Sequence, residues 1–178
     1  MSFLDLVKKR VSCRRYSQEP VLEESLVRCL EAARLAPSAC NSQPWRFIVI
    51  KNWDLKNKVA SAAFSGIYQM NAFAKDAPVL VVVLRESSKY AAQVGGTFRG
   101  IQFSLIDEAI ACEHFVLQAA EEGLGSCWIG WFNERAVKKT LNLSSKAKID
   151  IIISLGYPLE PFSKEKIRKS LEEISEVR

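Results

Sequence analysis

The sequence predicts an α+β fold, a mixed central β-sheet flanked by helices, and three observations carry that prediction. Val79 to Leu84 is an unbroken run of valine and leucine, the pattern of a strand covered on both faces. From Ser104 to Glu122 the chain is apolar around most of a helical circumference, so this helix should be nearly enclosed, between the sheet and another subunit. Helices open the chain and the strands do not alternate strictly with them, which argues against a doubly wound nucleotide fold. No internal repeat, low-complexity tract or linker interrupts the 178 residues, so a single domain over 1–178 is expected. A chain of this length typically buries about 70% of its extended surface and needs no covalent staples.

In chain order, residues 3–10 read as a short helix. Leu22, Leu26, Leu30 and Ala33 recur at helical spacing, and Pro37 bounds this second helix near Ala36. A loop rich in Ser and Asn runs from Pro37 to Pro44, ahead of a strand at Phe47–Ile50 and a helix from Trp53 to about Phe64. After the Val79–Leu84 strand, Gly95-Gly96-Thr97-Phe98-Arg99-Gly100 reads as a mobile loop near a pocket, with Phe98 and Arg99 placed to touch a substrate. Ser104-Leu105-Ile106-Asp107 resembles a capping box opening the long helix. That helix carries a polar stripe through Asp107, His114 and Gln118 and stops at Gly123. Ser126–Trp131 and Ile149–Leu155 are two further strands, with a helix from about Glu134 to Leu141 between them. Beyond Pro158 the chain turns polar and reads as a tail ending in a short amphipathic stretch, Leu171 to Val177.

Composition narrows the classes. At 48% hydrophobic and 25% charged the chain is an ordinary soluble globular one. Its five cysteines, Cys13, Cys29, Cys40, Cys112 and Cys127, are odd in number and never form C-x-x-C, so neither a disulfide framework nor a zinc site is expected. The N-terminus lacks the charged flank and apolar core of a signal peptide, and the longest apolar run, Ala77 to Leu84, is far short of the roughly 20 residues that span a membrane. A cytoplasmic location follows. The net charge of +5 and pI near 9.0 fit a nucleic-acid partner, a phosphate-bearing cofactor or nothing specific, and the placement of the charges decides among them. Arg10, Arg14 and Arg15 crowd one end while Lys164, Lys166, Arg168 and Lys169 crowd the other, instead of forming one stripe.

The single histidine removes a His-based metal site, and no G-x-S-x-G elbow or Walker loop occurs. Gly123-Leu124-Gly125 begins like a dinucleotide fingerprint, but Trp128 stands where the third glycine belongs, and the segment ends a helix where the motif would open one. His114 lies mid-helix and reads as a satisfied structural histidine. Cys13 and Cys40 read as packing residues. With no side-chain nucleophile or metal expected, a bound cofactor has to supply the hard chemistry.

Two constellations remain. In Arg10-Val11-Ser12-Cys13-Arg14, extended backbone would project Arg10, Ser12 and Arg14 to one side. Two guanidinium forks and a hydroxyl make a phosphate clasp; a solvated basic helix end is the alternative. In Pro37-Ser38-Ala39-Cys40-Asn41-Ser42-Gln43-Pro44-Trp45-Arg46-Phe47, two prolines fix a loop that displays Ser, Asn and Gln before a strand. Such a loop offers amides to a polar heterocycle edge, or is a structural turn.

Together these segments resemble the nitroreductase family of FMN-dependent oxidoreductases. R-x-S-x-R falls on Arg10, Ser12 and Arg14. P-S-x-x-N-x-Q-P-W-x-F falls on Pro37, Ser38, Asn41, Gln43, Pro44, Trp45 and Phe47. G-L-G-x-x-W-I-G falls on Gly123 to Gly130, L-G-Y-P on Leu155 to Pro158, and K-x-R-x-x-L-E-E-I on Lys166, Arg168 and Leu171 to Ile174. The five pieces come in the family's order over nearly the whole chain.

The resemblance implies a nitroreductase-like sandwich that forms an intertwined homodimer, with FMN at the subunit interface and the C-terminal tail reaching the partner. It implies that Arg10, Ser12 and Arg14 hold the phosphate, ribityl and pyrimidine side of FMN, and that Lys166 and Arg168 complete the phosphate clamp. Asn71 would contact the ring edge, though a helix-end Asn accounts for it equally well. Pro37, Ser38 and Asn41 would approach the flavin from the partner chain, and backbone at Ile129 and Gly130 would approach its redox-active nitrogen. The implied activity is hydride transfer from NAD(P)H, through the flavin, to small electron-poor acceptors such as nitroaromatics and quinones. Reductive dehalogenation, dehydrogenation, or flavin carriage without turnover are the alternatives. The chain departs from the family in its shortness, in Ile129 where some members carry an acid, and in Ser170 where a proline is common.

Overall fold

The computed structural model describes residues 2–87, 90–160 and 166–178; the sequence's Lys164 lies outside them. Four strands, β1 (Trp45–Ile50), β2 (Val79–Arg85), β3 (Gly125–Ile129) and β4 (Lys148–Gly156), form one sheet in the order β1-β2-β4-β3. Every strand pair is antiparallel. Its mixed character comes from one parallel bridge, Ser12 to Ser126, which adds the N-terminal segment to the β3 edge.

Both faces of the central strands are covered, as the valine run of β2 requires. Val79, Val81 and Val83 join Leu26, Cys29 and Ala33 of α2 (Glu23–Arg34) and Ala111, Phe115 and Ala119 of α5 (Phe103–Glu121) in one core. Leu80, Val82 and Leu84 point the other way, into a second core with Val59, Ala60 and Ala63 of α3 (Trp53–Ala63) and Val137 of α6 (Glu134–Thr140). Each valine, leucine or phenylalanine among them contributes roughly 1.5–3 kcal/mol by leaving water, the alanines less.

The register slips between Val83 and Leu84, which pair with Ile151 and Ile149, leaving Asp150 unpaired in a bulge. Ile149 and Ile152 thereby share the second core while Ile151 and Ile153 share the first. The extra residue turns Asp150 toward Arg85, whose Nε lies 2.9 Å from its Oδ2.

Most elements fall where the sequence places them, with four corrections. The glycine-rich stretch is not a mobile loop but the end of a helix, α4 (Tyr90–Arg99). Gly100, at φ +64°, ends it in the left-handed conformation, with Ile101 N–H donating to Gly96 O at 2.9 Å and Gly100 N–H to Thr97 O at 3.3 Å. A side chain at Gly96 would meet the Ile101 carbonyl oxygen at 2.5 Å, so the glycine inside the helix permits the tight exit. The expected capping box at Ser104–Asp107 does not form: α5 begins at Phe103, its N-cap is Gln102, and no side chain caps it. Residues 66–76, left without an element by the sequence pattern, form a long 3₁₀ run, Gly66–Asp76. The third strand stops at Ile129, freeing Gly130 and Trp131.

α1 (Phe3–Lys9) is closed by a reciprocal cap between Ser2 and Asp5 and has no buried residue; Phe3 and Leu4 are each 68% exposed. The tail carries α7 (Leu171–Ile174), capped in the same way by Ser170 and Glu173, with Leu171, Ile174 and Val177 all exposed. Ser170 thus has a local reason to stand where a proline is common.

Candidate functional site

The segment after α1 leaves the helix at Arg10, whose backbone is extended. Cys13 N–H donates to Ser126 O at 2.9 Å, and Cys13 is buried while its neighbours Ser12 and Arg14 are exposed. The alternation expected of extended backbone is therefore present. Two contacts fix the segment. Gly125 leaves room for Cys13, since a Cβ there would lie 2.7 Å from the Cys13 Cβ and Sγ. Tyr16, buried, donates its hydroxyl to Cys13 O at 2.8 Å and shares a 2.7 Å hydrogen bond with Ser154 Oγ on β4. Burial raises the Tyr16 phenol and the Cys13 thiol above their ordinary values.

The two charged ends of the chain converge here. Lys166 Nζ donates to Val7 O at 2.5 Å, at the end of α1. Its pKa is lowered, first by desolvation and then by the charges of Arg10 and Arg168. Glu113 of α5 faces the same cluster; its carboxyl is raised by desolvation, against the pull of Arg10, Lys166 and His114. Cys127 on β3 is raised by burial, against Arg14, Ser12 and Arg10. Lys166 thus feels two cations, Arg10 and Arg168, against one carboxylate, Glu113, which leaves an excess of positive charge. Arg168, the outermost, spends Nη1 on the carbonyl of Ile167 at 2.7 Å.

A second line of contacts continues from Arg14. Its guanidinium lies 5.8 Å from the centre of the Phe73 ring, on the 3₁₀ run that also carries Asn71. Asn71 Nδ2 donates to Trp131 O at 2.8 Å, tying this run to the free end of β3. Trp131 is held further by Nε1 donating to Ile67 O at 3.3 Å and by the Tyr68 ring at 5.1 Å. Ile129 is buried and Gly130 is exposed, with open space where a side chain would be. Arg10, Ser12, Arg14, Asn71, Ile129, Gly130, Lys166 and Arg168 thus all belong to the β3 side of the sheet. Phe73 and Trp131 belong with them and carry no motif signal; only their aromatic character beside Asn71 and Gly130 could have drawn attention.

Pro37, Ser38 and Asn41 lie elsewhere. They precede β1, at the opposite edge of the four-stranded sheet, three strand spacings or about 14 Å across. Cys40, Asn41 and Gln43 adopt φ of 53°, 50° and 50°, a left-handed conformation that costs a non-glycine residue roughly 1–2 kcal/mol. Side chains hold the strain: Gln43 N–H donates to Ser38 Oγ at 2.9 Å and Gln43 Nε2 to Asn41 Oδ1 at 2.9 Å. Ala39 N–H donates to the buried Asp107 Oδ1 at 3.0 Å. Asp107 is therefore a buttress for this loop, where the sequence suggested a helix cap. His114 is structural, its Nδ1 lying 3.3 Å from Ala32 O. Among the described residues no His, Cys, Asp and Glu group could hold a metal, and no helix is long and apolar enough to cross a membrane.

Comparison with known proteins accounts for this arrangement of motifs. A sequence model of the Nitroreductase family matches residues 7–157. The chain belongs to the nitroreductase family. It is similar to a protein of Thermus thermophilus named NADH dehydrogenase, 33% identical over 85% of this chain and 84% of that one. An iodotyrosine deiodinase of Thermotoga neapolitana is 29% identical over 88% of this chain and 89% of its own. Among solved structures, a nitroreductase family protein from Clostridium difficile superposes with a TM-score of 0.77 at 33% identity, covering 99% of this chain and 98% of the other.

Proposed function

We propose that this nitroreductase family chain is an NAD(P)H-dependent oxidoreductase that binds FMN between two copies of itself and reduces small electron-poor acceptors such as nitroaromatics and quinones. The observation that carries the reading is the meeting of the two chain ends: Lys166 Nζ bonds Val7 O at 2.5 Å, and Arg10 and Arg168 lie close enough to lower the Lys166 pKa, with Glu113 facing Arg10 and Lys166. A dianionic phosphate seated there would offset that repulsion with charge-assisted hydrogen bonds. The donor set fits the rest of FMN as well: Ser12 and Arg14 project on the same side, and Asn71, Gly130 and Trp131 present amide and backbone groups further along.

FMN, when bound, supplies the hydride acceptor and donor. The chain's own residues do the rest. Arg10, Lys166 and Arg168 bind the phosphate. Arg14, positioned by Phe73, places positive charge where reduced flavin accumulates negative charge. Asn71 and Trp131 fix the Gly130 backbone. The Pro37–Asn41 loop of each chain serves the partner's flavin, because within one chain it sits at the far edge of the sheet. The exposed apolar side chains of α1 and α7 supply surface for the second copy, and the tail reaches across it. Five unpaired thiols suit a reducing compartment such as the cytoplasm.

Purified protein tests this directly. It should be yellow, bleach on adding NADH or NADPH without oxygen, and recover colour with a nitroarene. Colourless protein that binds no added FMN contradicts the proposal, and colour without bleaching indicates a carrier. The similarity to a deiodinase favours one second reading, reductive dehalogenation at the same flavin; release of iodide from an iodophenol, faster than nitroarene reduction, would select it.

A further inference from the structure

One cation among the described residues is buried. Lys56 of α3 has no exposed surface, while the other side chains that α3 buries, Val59, Ala60 and Ala63, are apolar and join the second core. Taking an ammonium out of water is costly unless acceptors replace the water, and a methionine would fill the same space without that cost. Desolvation lowers the Lys56 pKa, with the charge of Asp76 acting against it. The ammonium lies 4.2 Å from the centre of the Trp53 ring and donates to Lys75 O at 2.6 Å.

The carbonyl that Lys56 meets is one the backbone does not serve. Lys75 is the last residue but one of the 3₁₀ run Gly66–Asp76, and the donor three residues on would be Pro78, which has no N–H. The turn before it is closed by Ala77 N–H on Ala74 O at 3.3 Å, and Asp76 O accepts from Gln18 Nε2 at 3.4 Å. Carbonyls at the end of a helical run carry partial negative charge, so a cation is a suited donor. The run has 11 residues, well beyond the three or four over which 3₁₀ geometry usually persists, so it depends on holds from outside. Phe73, two residues before Lys75, is the ring over which the Arg14 guanidinium lies, and Asn71 bonds Trp131 O. From its far end α3 braces the same region again, where Ala63 O accepts the Asn133 N–H at 3.0 Å, two residues beyond Trp131.

We infer that Lys56 is a positioning residue for the ring side of the flavin site: by pinning the Lys75 carbonyl it fixes the 3₁₀ run, and with it Phe73 against Arg14 and Asn71 against the Trp131 backbone. This role rests on the flavin-binding function proposed above and acts through Phe73 and Asn71. The phosphate cluster is tied to α1 instead, through Lys166 and Val7 O, so the two halves of the site are held separately.

Fluorescence titration of the full chain with FMN and with riboflavin, which lacks the phosphate, tests this. Lys56→Met should weaken both about tenfold and by the same factor, whereas Arg168→Ala should weaken FMN and spare riboflavin. The midpoint potential of the bound flavin should become more negative in Lys56→Met, because Arg14, no longer held, stabilises reduced flavin less. Phe73→Leu should shift the potential the same way, and the double variant should go little further than the larger single shift. Wild-type affinity and potential in Lys56→Met overturn the inference, as does a shift that adds in full to that of Phe73→Leu. If Lys56→Met does not fold, Lys56→Gln is measured in its place; loss of the fold in both overturns the inference too, since the lysine would then serve the core. Wild-type protein that binds neither flavin contradicts the proposed function itself, and this role falls with it.

Discussion

The two edges of the sheet are built on opposite principles. At the β3 edge, flexible side chains from both ends of the chain gather into an open cluster of like charge, so its energy is unfavourable until an anion arrives. At the β1 edge the Pro37–Gln43 loop is strained but closed on itself, its left-handed residues pinned by Ser38, Gln43 and the buried Asp107. The first region is complete only with a ligand; the second is rigid without one. In the dimer we propose, the charged edge would capture the cofactor and the loop at the β1 edge of the partner would shape the space above it.

Removing charge from the open edge should have the largest effect. Arg10→Ala together with Arg168→Ala should weaken FMN roughly a hundredfold or more, each lost charged hydrogen bond being worth about 1.5–3 kcal/mol. Fluorescence titration with FMN reads this, and unchanged affinity would refute the clamp. The rigid side is broken first at Glu108. A carboxyl raised from 4.5 to about 8 binds its proton more tightly folded than unfolded, so folding stability falls as pH climbs from about 4.5 to 8. Glu108→Gln should abolish that loss, gaining on the order of 3 kcal/mol above pH 8 and little below pH 4.5. Melting temperatures across that range check it, and parallel pH profiles for the two proteins would contradict it.

A smaller effect is expected at Asp107. Asp107→Ala strands the Ala39 N–H and releases the loop, costing about 1–3 kcal/mol. Turnover should drop about tenfold while FMN affinity changes less, and hydrogen exchange at Ala39 should accelerate; protection equal to wild type would show the loop holds itself. Ser170→Ala removes the cap of α7, worth about 1 kcal/mol or less. It should raise the dissociation constant for FMN only a few-fold if the short helix helps to place Arg168.

Much of this was legible in the sequence, for identifiable reasons. The β2 run announces a doubly covered strand because it is short, valine-rich and preceded by Pro78, and the alternation through Arg10, Ser12 and Arg14 survives because Cys13 points inward. What escaped depended on tertiary contact. Gly95 and Gly96 look like loop residues, yet both lie in α4, and Ile101 folds back over Gly96. Asp107 matches a capping pattern by spacing, but a neighbouring loop competes for its carboxylate. The buried Glu108 and the half-buried Asp150 give no local sign of lying together, since a bulge in β4 turns one of them toward the other's neighbour, Arg85.

The central claim is that each site joins the cationic edge of one chain to the loop of the other. A hybrid dimer decides it: one chain carries Arg10→Ala with Arg168→Ala, the other Ser38→Ala with Asn41→Ala, co-expressed under different tags. Each variant alone should be nearly inactive, whereas the hybrid, with both intact halves facing each other at one interface, should recover about half of the wild-type rate. A hybrid as inactive as its parents would place each site within a single chain and contradict the account.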